Sequence, residues 1–254
     1  MRNYATAQNI GTRTHQCDAT AVRTNRATGA RAYVLLDGIG SNDTVRTWTR
    51  NAATRLARAA AHRGDAEAGL RAVYEAYAAE RADADPWATR PKAAAIVAVT
   101  APNRPLTIAW CGDSRAYVLT PITPRRLTRD HNKRRVDPPS RENPCGGNRN
   151  VITSSLGSTA SDQDVKDLDG HPAIESTNFW TIAPTRLLLA SDGAYEPHEE
   201  AGHSFSEHLI GHPSEAARHF VDTAVRHATT TTHNVDPNRP TADNATALIA
   251  ELWV

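Results

Sequence analysis

Several aspartates in this chain stand where an apolar run stops. Tyr33-Val34-Leu35-Leu36 ends in Asp37-Gly38-Ile39-Gly40, and Leu187-Leu188-Leu189-Ala190-Ser191 ends in Asp192-Gly193. Asp113 sits in Gly112-Asp113-Ser114-Arg115 between two apolar runs, and Asp243-Asn244 precedes a strand-like run from Ala245 to Leu252. A buried strand delivers its last side chain to the sheet edge, where a carboxylate reaches solvent and a ligand. A neighbouring glycine lets backbone approach whatever that carboxylate holds. Carboxylates without a His cluster or a thiolate set suit hard divalent cations such as Mg²⁺ or Mn²⁺. A pair of such ions can hold a phosphoryl group and turn a bridging water into a hydroxide nucleophile. Four carboxylates this far apart in the chain predict one metal site assembled by the fold. The His residues of the C-terminal half show no metal spacing and receive no role in this reading.

The elements that must position these groups are partly legible. Short alternating segments from Tyr4 to Val22 predict a strand, a turn around Gly11 and a second strand, with a third over Ala32 to Leu36. Ser41 or Asn42 is the expected cap of a helix reaching Ala61. Along it Val45, Trp48, Ala52, Leu56 and Ala59 recur at spacings of three and four. Gly64-Asp65 breaks it. A second helix over Ala66 to Arg81 gathers Leu70, Val73, Tyr74 and Tyr77 on one face, and residues 83–91 read as a loop. Ala93 to Thr100, Leu106 to Cys111 and Arg115 to Leu119 are strand-like and joined by short turns, which favours antiparallel pairing. Residues 125–150, rich in Pro, Gly, Asn and charge, form the longest expected irregular segment. Beyond it come a short strand-like Val151-Ile152-Thr153, a strand over Leu187 to Ala190 and a helical turn over Glu207 to Ile210. A helix then runs from Ser214 to His227, with a polar loop over residues 229–242. No repeat, linker or composition shift divides residues 1–254, so one domain is expected.

Bulk properties narrow the class. The 29 basic and 28 acidic residues leave a net charge of +1, which provides no overall field to recruit nucleic acid or an anionic membrane. The three cysteines Cys17, Cys111 and Cys145 show no CxxC spacing, arguing against a disulfide framework or a structural zinc site and for a reducing, cytoplasmic setting. No apolar run approaches the roughly 18 residues of a membrane span, and no apolar signal core follows Met1. GxSxG, P-loop, GxGxxG and HExxH motifs are all missing.

The order and wording of the motifs resemble the metal-dependent Ser/Thr protein phosphatases of the PP2C type. That family opens with an Arg four residues before an acidic residue and then Asp, matched here by Arg13, Cys17 and Asp18. Its DGHGG reads Asp37-Gly38-Ile39-Gly40-Ser41, and its GDSRAY stands intact as Gly112-Asp113-Ser114-Arg115-Ala116-Tyr117. Leu127-Thr128-Arg129-Asp130-His131, Val151-Ile152-Thr153-Ser154-Ser155-Leu156-Gly157, Ser191-Asp192-Gly193 and Asp243-Asn244 complete the series. Asp37-Gly38 and Asp192-Gly193 taken alone would read as turns; the ordered series favours the metal reading.

The resemblance implies an α+β fold, a four-layer α-β-β-α sandwich of two antiparallel sheets flanked by helix pairs. It implies a catalytic set of Asp37, Asp192, Asp243 and Arg13. Asp37 would bridge two core Mn²⁺ or Mg²⁺ ions and Gly38 would offer its carbonyl. Asp192 and Asp243 would complete the first ion's shell, and Asp18 would act through water. Asp113 with Asp192 would bind the third ion seen in the family, and Arg13 would engage the substrate phosphate. The implied activity is hydrolysis of phosphoserine and phosphothreonine by direct attack of metal-activated water. The implied substrate is a phosphorylated protein made by a Ser/Thr kinase, and the enzyme would be a cytoplasmic, bacterial signalling phosphatase acting as a monomer. Residues 125–150 would be the substrate-facing flap, with His131 a hydrogen-bonding residue at its base.

Two positions depart from the pattern. Cys17 stands where an acid supports the second metal, and a thiol is a poor ligand for a hard ion; Ile39 replaces the His of DGHG. Both favour a competing reading, a catalytically impaired module that recognises a phosphorylated partner or a regulator. A nuclease using a carboxylate-bound metal pair is a further competitor, opposed by the missing basic track.

Overall fold

The computed structural model describes residues 3–82, 90–119, 124–180 and 183–252. Most of the loop expected over 83–91 lies outside them. In chain order the described elements begin with β1 (Tyr4–Asn9), β2 (Ala19–Thr24), β3 (Arg31–Gly38), α1 (Asp43–Arg63), α2 (Ala66–Ala82), β4 (Ala93–Thr100) and β5 (Leu106–Cys111). They continue with β6 (Arg115–Leu119), β7 (Pro124–Arg126), α3 (Lys133–Val136), α4 (Asp162–Asp169), β8 (Glu175–Phe179) and β9 (Thr185–Ala190). The chain closes with α5 (Asp192–Glu200), α6 (Phe205–His208), α7 (Pro213–Val235) and β10 (Ala245–Leu252).

Two antiparallel sheets result, ordered β1-β10-β9-β6-β7 and β2-β3-β4-β5-β8. Side chains alternate across a strand, and the packing follows. Tyr33 and Leu35 of β3 meet Leu187 and Leu189 of β9 and Leu248 of β10 between the sheets. Val34 and Leu36 face outward onto Leu56 and Ala60 of α1 and Leu70 and Val73 of α2. On the other side Leu188 of β9 and Ile249 of β10 pack on Phe220 and Val221 of α7 and Tyr195 of α5. The layers are therefore helix pair, sheet, sheet, helix pair. Strands buried on both faces explain why β3, β4, β9 and β10 read as continuous apolar runs rather than alternating ones.

The helix ends follow local chemistry. Asn42 caps α1, its side chain accepting from Val45 N–H at 2.9 Å, and Gly64 ends it in the left-handed conformation at φ 64°. Trp48 and Tyr77 pack between α1 and α2 at 5.1 Å between ring centroids, a core role as the periodicity predicts.

Several local expectations are corrected. β6 does not continue the β4–β5 hairpin; it pairs with β9 and β7 in the other sheet. The crossing runs through Gly112 at φ 103°, where a Cβ would stand 2.4 Å from that of Ala94, so a short connection here changes sheets instead of turning back. Helix α7 is capped by His212 and runs on to Val235, well beyond His227. In the added turns Thr229, Thr230 and Thr232 each bond the carbonyl four residues earlier, so polar residues sit in a helix that their composition argues against. Residues 125–150 are largely irregular but include α3 and part of β7. Among the described residues no helix is long and apolar enough to cross a membrane.

The base of the 125–150 segment is anchored at Glu175 in β8. Arg135 donates to both carboxylate oxygens, at 2.6 and 2.8 Å, and His131 lies 3.0 Å from Oε2. His131 is fully buried and stacks on His171 at 4.2 Å, which makes it the hydrogen-bonding residue expected at this place. Burial alone would raise the Glu175 pKa, but the bonds from Arg135 and His131 outweigh it and hold it at about 2, below its ordinary 4.5. A depressed folded-state pKa means stabilisation that is complete above about pH 4.5 and lost as pH falls toward 2. Glu175→Gln is therefore expected to cost roughly 2–3 kcal/mol at pH 7 and to flatten the acid limb of stability between pH 4.5 and 2. Urea unfolding at pH 7 and pH 3 checks both, and a variant with the wild-type acid limb would refute the assignment.

Candidate metal centre

Antiparallel register carries the candidate residues to one end of the sandwich. Ala19 at the start of β2 faces Leu36 in β3, so Asp18 arrives beside Asp37. Asp37 faces Ala94 in β4, and Cys111 at the end of β5 faces Ala95, so Asp113 emerges just beyond. In the second sheet Ala190 at the end of β9 faces both Arg115 in β6 and Ala247 in β10. Asp192 and Asp243 therefore emerge on the same side as Asp113. Thr12, Arg13, Asp37, Gly38, Asp113, Asp192 and Asp243 line one cleft of about 870 Å³, and Asp18 lies buried, 2% exposed. Arg13 stands in the loop after β1, not on a strand.

Close backbone approach brings α5 against the start of β10. A Cβ on Gly193 would lie 2.2 Å from the Asn244 carbonyl oxygen and 3.2 Å from the Asp243 Cβ, so only glycine lets Asp192 and Asp243 stand this near. Each carboxylate is also held by backbone, with Gly193 N–H donating to Asp192 at 2.6 Å and Asn244 N–H to Asp243 at 2.7 Å. Ser191 Oγ donates to Asp18 Oδ2 at 3.0 Å and accepts from Thr246 N–H at 2.9 Å. Arg13 Nη2 donates to Asp243 Oδ2 at 2.6 Å.

Positive charge is scarce here. Burial pushes the carboxyls of Asp18, Asp37, Asp113 and Asp192 above the usual range, and the charges of their neighbours push the same way. Among the described residues Asp18 Oδ1 is buried without a hydrogen-bond donor. Buried anions of this kind require pairing or a metal ion, and an all-oxygen donor set with unmet charge fits hard divalent cations. The residues present therefore fit the metal ions that the carboxylate pattern implies.

Cys17 is buried and its thiol contacts the Asn42 carbonyl at 3.7 Å. Burial raises its pKa, so it stays a protonated thiol at neutral pH. Ile39 lines the cleft, 45% exposed, an apolar side chain at the mouth of a polar site.

Three groups receive no role from the sequence, although Asn244 belongs to the Asp243-Asn244 motif. Asn244 joins separate loops, its Oδ1 accepting from Cys17 N–H at 2.7 Å and its Nδ2 donating to the Ile10 carbonyl at 2.9 Å. Its place beside Asp243 was the available signal. Arg149 and Glu196, 3.2 Å apart, also line the cleft. Burial, then the charge of Asp192, lifts Glu196 to about 7. No local pattern marked either residue, because their meeting depends on how residues 125–150 fold over α5.

Comparison with known proteins bears on the family and the fold. The family model described as protein phosphatase 2C matches residues 29–233. The chain belongs to the protein phosphatase 2C family. Its fold is similar to that of the Mycobacterium tuberculosis serine/threonine phosphatase PstP/Ppp, at 23% identity and TM-score 0.66 over 99% of this chain and 98% of that one. It is also similar to the Mycobacterium smegmatis PPM Ser-Thr phosphatase MsPP, solved with cacodylate, at 21% identity and TM-score 0.70 over 98% of each chain. The S. agalactiae serine/threonine phosphatase aligns with TM-score 0.73 at 16% identity, over 97% of this chain and 98% of that one. No curated protein sequence matches the chain.

Proposed function

We propose that this chain is an active phosphatase that removes phosphate from serine and threonine in proteins, with Mn²⁺ or Mg²⁺ as its ions. The observation that supports this most is the convergence of Asp37, Asp113, Asp192 and Asp243 with Arg13 around one cleft. In this reading Asp37, the Gly38 carbonyl, Asp192 and Asp243 hold the core pair of ions, with Asp18 supporting them. Asp113 serves the third ion together with Asp192. When bound, the ions neutralise phosphate charge and lower the pKa of water for direct attack on phosphorus, without a phosphoenzyme.

Arg13 orients the substrate. A guanidinium has five N–H donors; Asp243 accepts from one nitrogen and fixes the plane, and the rest of the fork suits phosphoryl oxygens. Asn244 and Ser191 hold the loops that carry Cys17, Asp18 and Asp192 in place. The substrate is a phosphoprotein produced by a Ser/Thr kinase, met as a single-domain monomer in the cytoplasm. The competing phosphoprotein-binding module draws support from one observation, the Cys17 thiol contacting Asn42 where an acid would support an ion.

Hydrolysis of p-nitrophenyl phosphate and a phosphothreonine peptide across a Mn²⁺ titration decides between the two. Turnover is expected to rise with Mn²⁺ and vanish with EDTA, and Cys17→Glu is expected to lower the half-saturating metal concentration by roughly tenfold. A folded wild-type protein without turnover at saturating metal would overturn the phosphatase reading in favour of the binding module. Rescue by Cys17→Glu would then identify the residue that silenced it.

A further inference from the structure

The fold brings together three of the C-terminal histidines that the sequence leaves scattered. His198 lies in α5, His203 in the turn after it and His208 at the end of α6. Steps of five residues match no helical face, so the sequence hid the group. The chain folds back through Gly202 at φ 66°, and His203 N–H bonds the His198 carbonyl at 2.8 Å. That fold brings one ring nitrogen from each of the three histidines within 4.8 Å of the others.

We propose that His198, His203 and His208 bind a divalent transition ion of the Zn²⁺ class, at a site separate from the carboxylate centre. The chemistry of His198 carries the argument. It is fully buried, and its Nε2 lies 2.9 Å from the Phe220 carbonyl, which can only accept. The proton is therefore on Nε2, and the Nδ1 lone pair points at the Nδ1 of His203, 3.1 Å away. A ring that donates one N–H to a carbonyl and offers the other nitrogen is the arrangement of a metal-ligating histidine. Burial holds the His198 pKa at about 4 and also lowers that of His208, so both rings are neutral ligands at physiological pH.

The distances suit such an ion. Tetrahedral Zn²⁺ with bonds of about 2.0–2.1 Å separates its nitrogens by about 3.3 Å. The His198–His203 pair is already at 3.1 Å, and the third nitrogen, within 4.8 Å of both, would move inward by up to about 1.5 Å. In the metal-free chain His203 must supply the hydrogen between the two Nδ1 atoms, and the ion takes its place. His208 Nδ1 lies 3.3 Å from His219 Nε2 in α7, a contact that orients the third ring. Three imidazoles without a carboxylate select Zn²⁺, Ni²⁺ or Cu²⁺ over Mg²⁺, Mn²⁺ or Ca²⁺. The two centres thus differ in ion preference. They share α5, which carries Asp192 in its first turn and His198 farther along. An ion on the histidines would pin that helix to α6 and, through Phe220 and His219, to α7.

The test uses the full chain, stripped of metal and dialysed against Zn²⁺ in a large excess of Mg²⁺. Wild-type protein is expected to retain one more zinc per chain than the His203→Ala/His208→Ala double variant. Its Tm is expected to rise by roughly 5–10 °C at a hundredfold excess over Kd, a rise the variant lacks. Equal zinc content in the two proteins, or none in either, would overturn the proposal. X-ray absorption on the zinc-loaded wild type needs no variant. A shell dominated by imidazole nitrogen is expected, and an all-oxygen shell would assign the zinc to the carboxylates and refute the site. Neither readout depends on hydrolysis, so the outcome is independent of whether the chain is an active phosphatase.

Discussion

Asp37→Asn is expected to abolish metal-dependent hydrolysis while making the metal-free chain more stable. Asp37 lies between the two sheets' contributions to the cleft, at the end of β3, and burial together with the charges of Asp18 and Asp192 opposes its ionised form. Asparagine cannot ionise, so the penalty for burying this carboxyl among its neighbours disappears, a gain of about 1–2 kcal/mol. The substitution also removes a carboxylate that would hold the ions directly, so the activity loss should exceed the 10–100-fold typical of residues that merely support ligands. Turnover at saturating Mn²⁺ and urea unfolding in EDTA measure the two halves. Mn²⁺ should raise the Tm of the wild type and leave that of the variant unchanged. Retained turnover would remove Asp37 from the centre, and Asp192→Asn provides the same test from the other sheet.

The second large effect is expected at Arg115, where the cost is structural. This buried guanidinium donates to Asp130 through Nε at 2.9 Å and Nη2 at 2.7 Å, and to Glu199 at 2.6 Å. Its carbon lies 3.7 Å over the ring of Tyr195, whose hydroxyl donates to the Asp113 carbonyl at 3.1 Å. Arg115→Met fills much of the volume but strands the Asp130 carboxylate in a site 13% exposed, leaving it Arg126 alone. Losing one partner of a buried pair costs about 3–5 kcal/mol, a Tm drop of roughly 6–20 °C at this size. Adding Asp130→Asn should recover part of the loss, since the stranded charge disappears with it. A loss under about 1 kcal/mol, within the range of an exposed pair, would mean that the network does not clamp these segments.

Arg115 also shows what was legible in the sequence and what was not. Its motif was readable as wording, and Asp113 inside it was marked as a candidate ligand. That the neighbouring arginine ties Asp130 to α5 could not be read, because the partners lie far apart in the chain. The same division runs through the fold. Strands β3, β4, β9 and β10 announced themselves because burial on both faces leaves long apolar runs, and α1 because its spacing and its Asn42 and Gly64 ends agree. Helix α4 and strand β8 were missed, being short and mostly polar. Ser161 and Asp164 form a capping box that marked the start of α4. Helix α5 was missed because Pro197 lies inside it. The carboxylate cleft was legible in its aspartates, which follow strand ends, whereas the grouping of His198, His203 and His208 was not. Those meet only through a reversal of chain after α5 that no periodicity announces.

The pairing of β1 with β10 has a consequence for the timing of synthesis. Tyr4 lies opposite Ala250 and Asn9 opposite Ala245, and β10 sits between β1 and β9 in its sheet. A growing chain can assemble β2 through β5 against α1 and α2 early, from local pairings. The other sheet lacks an inner strand until residues 245–252 have left the ribosome, and contacts of such long range form late. Asp243 arrives in that same final stretch. A nascent chain therefore lacks Asp243 at the cleft until β10 has settled between β1 and β9.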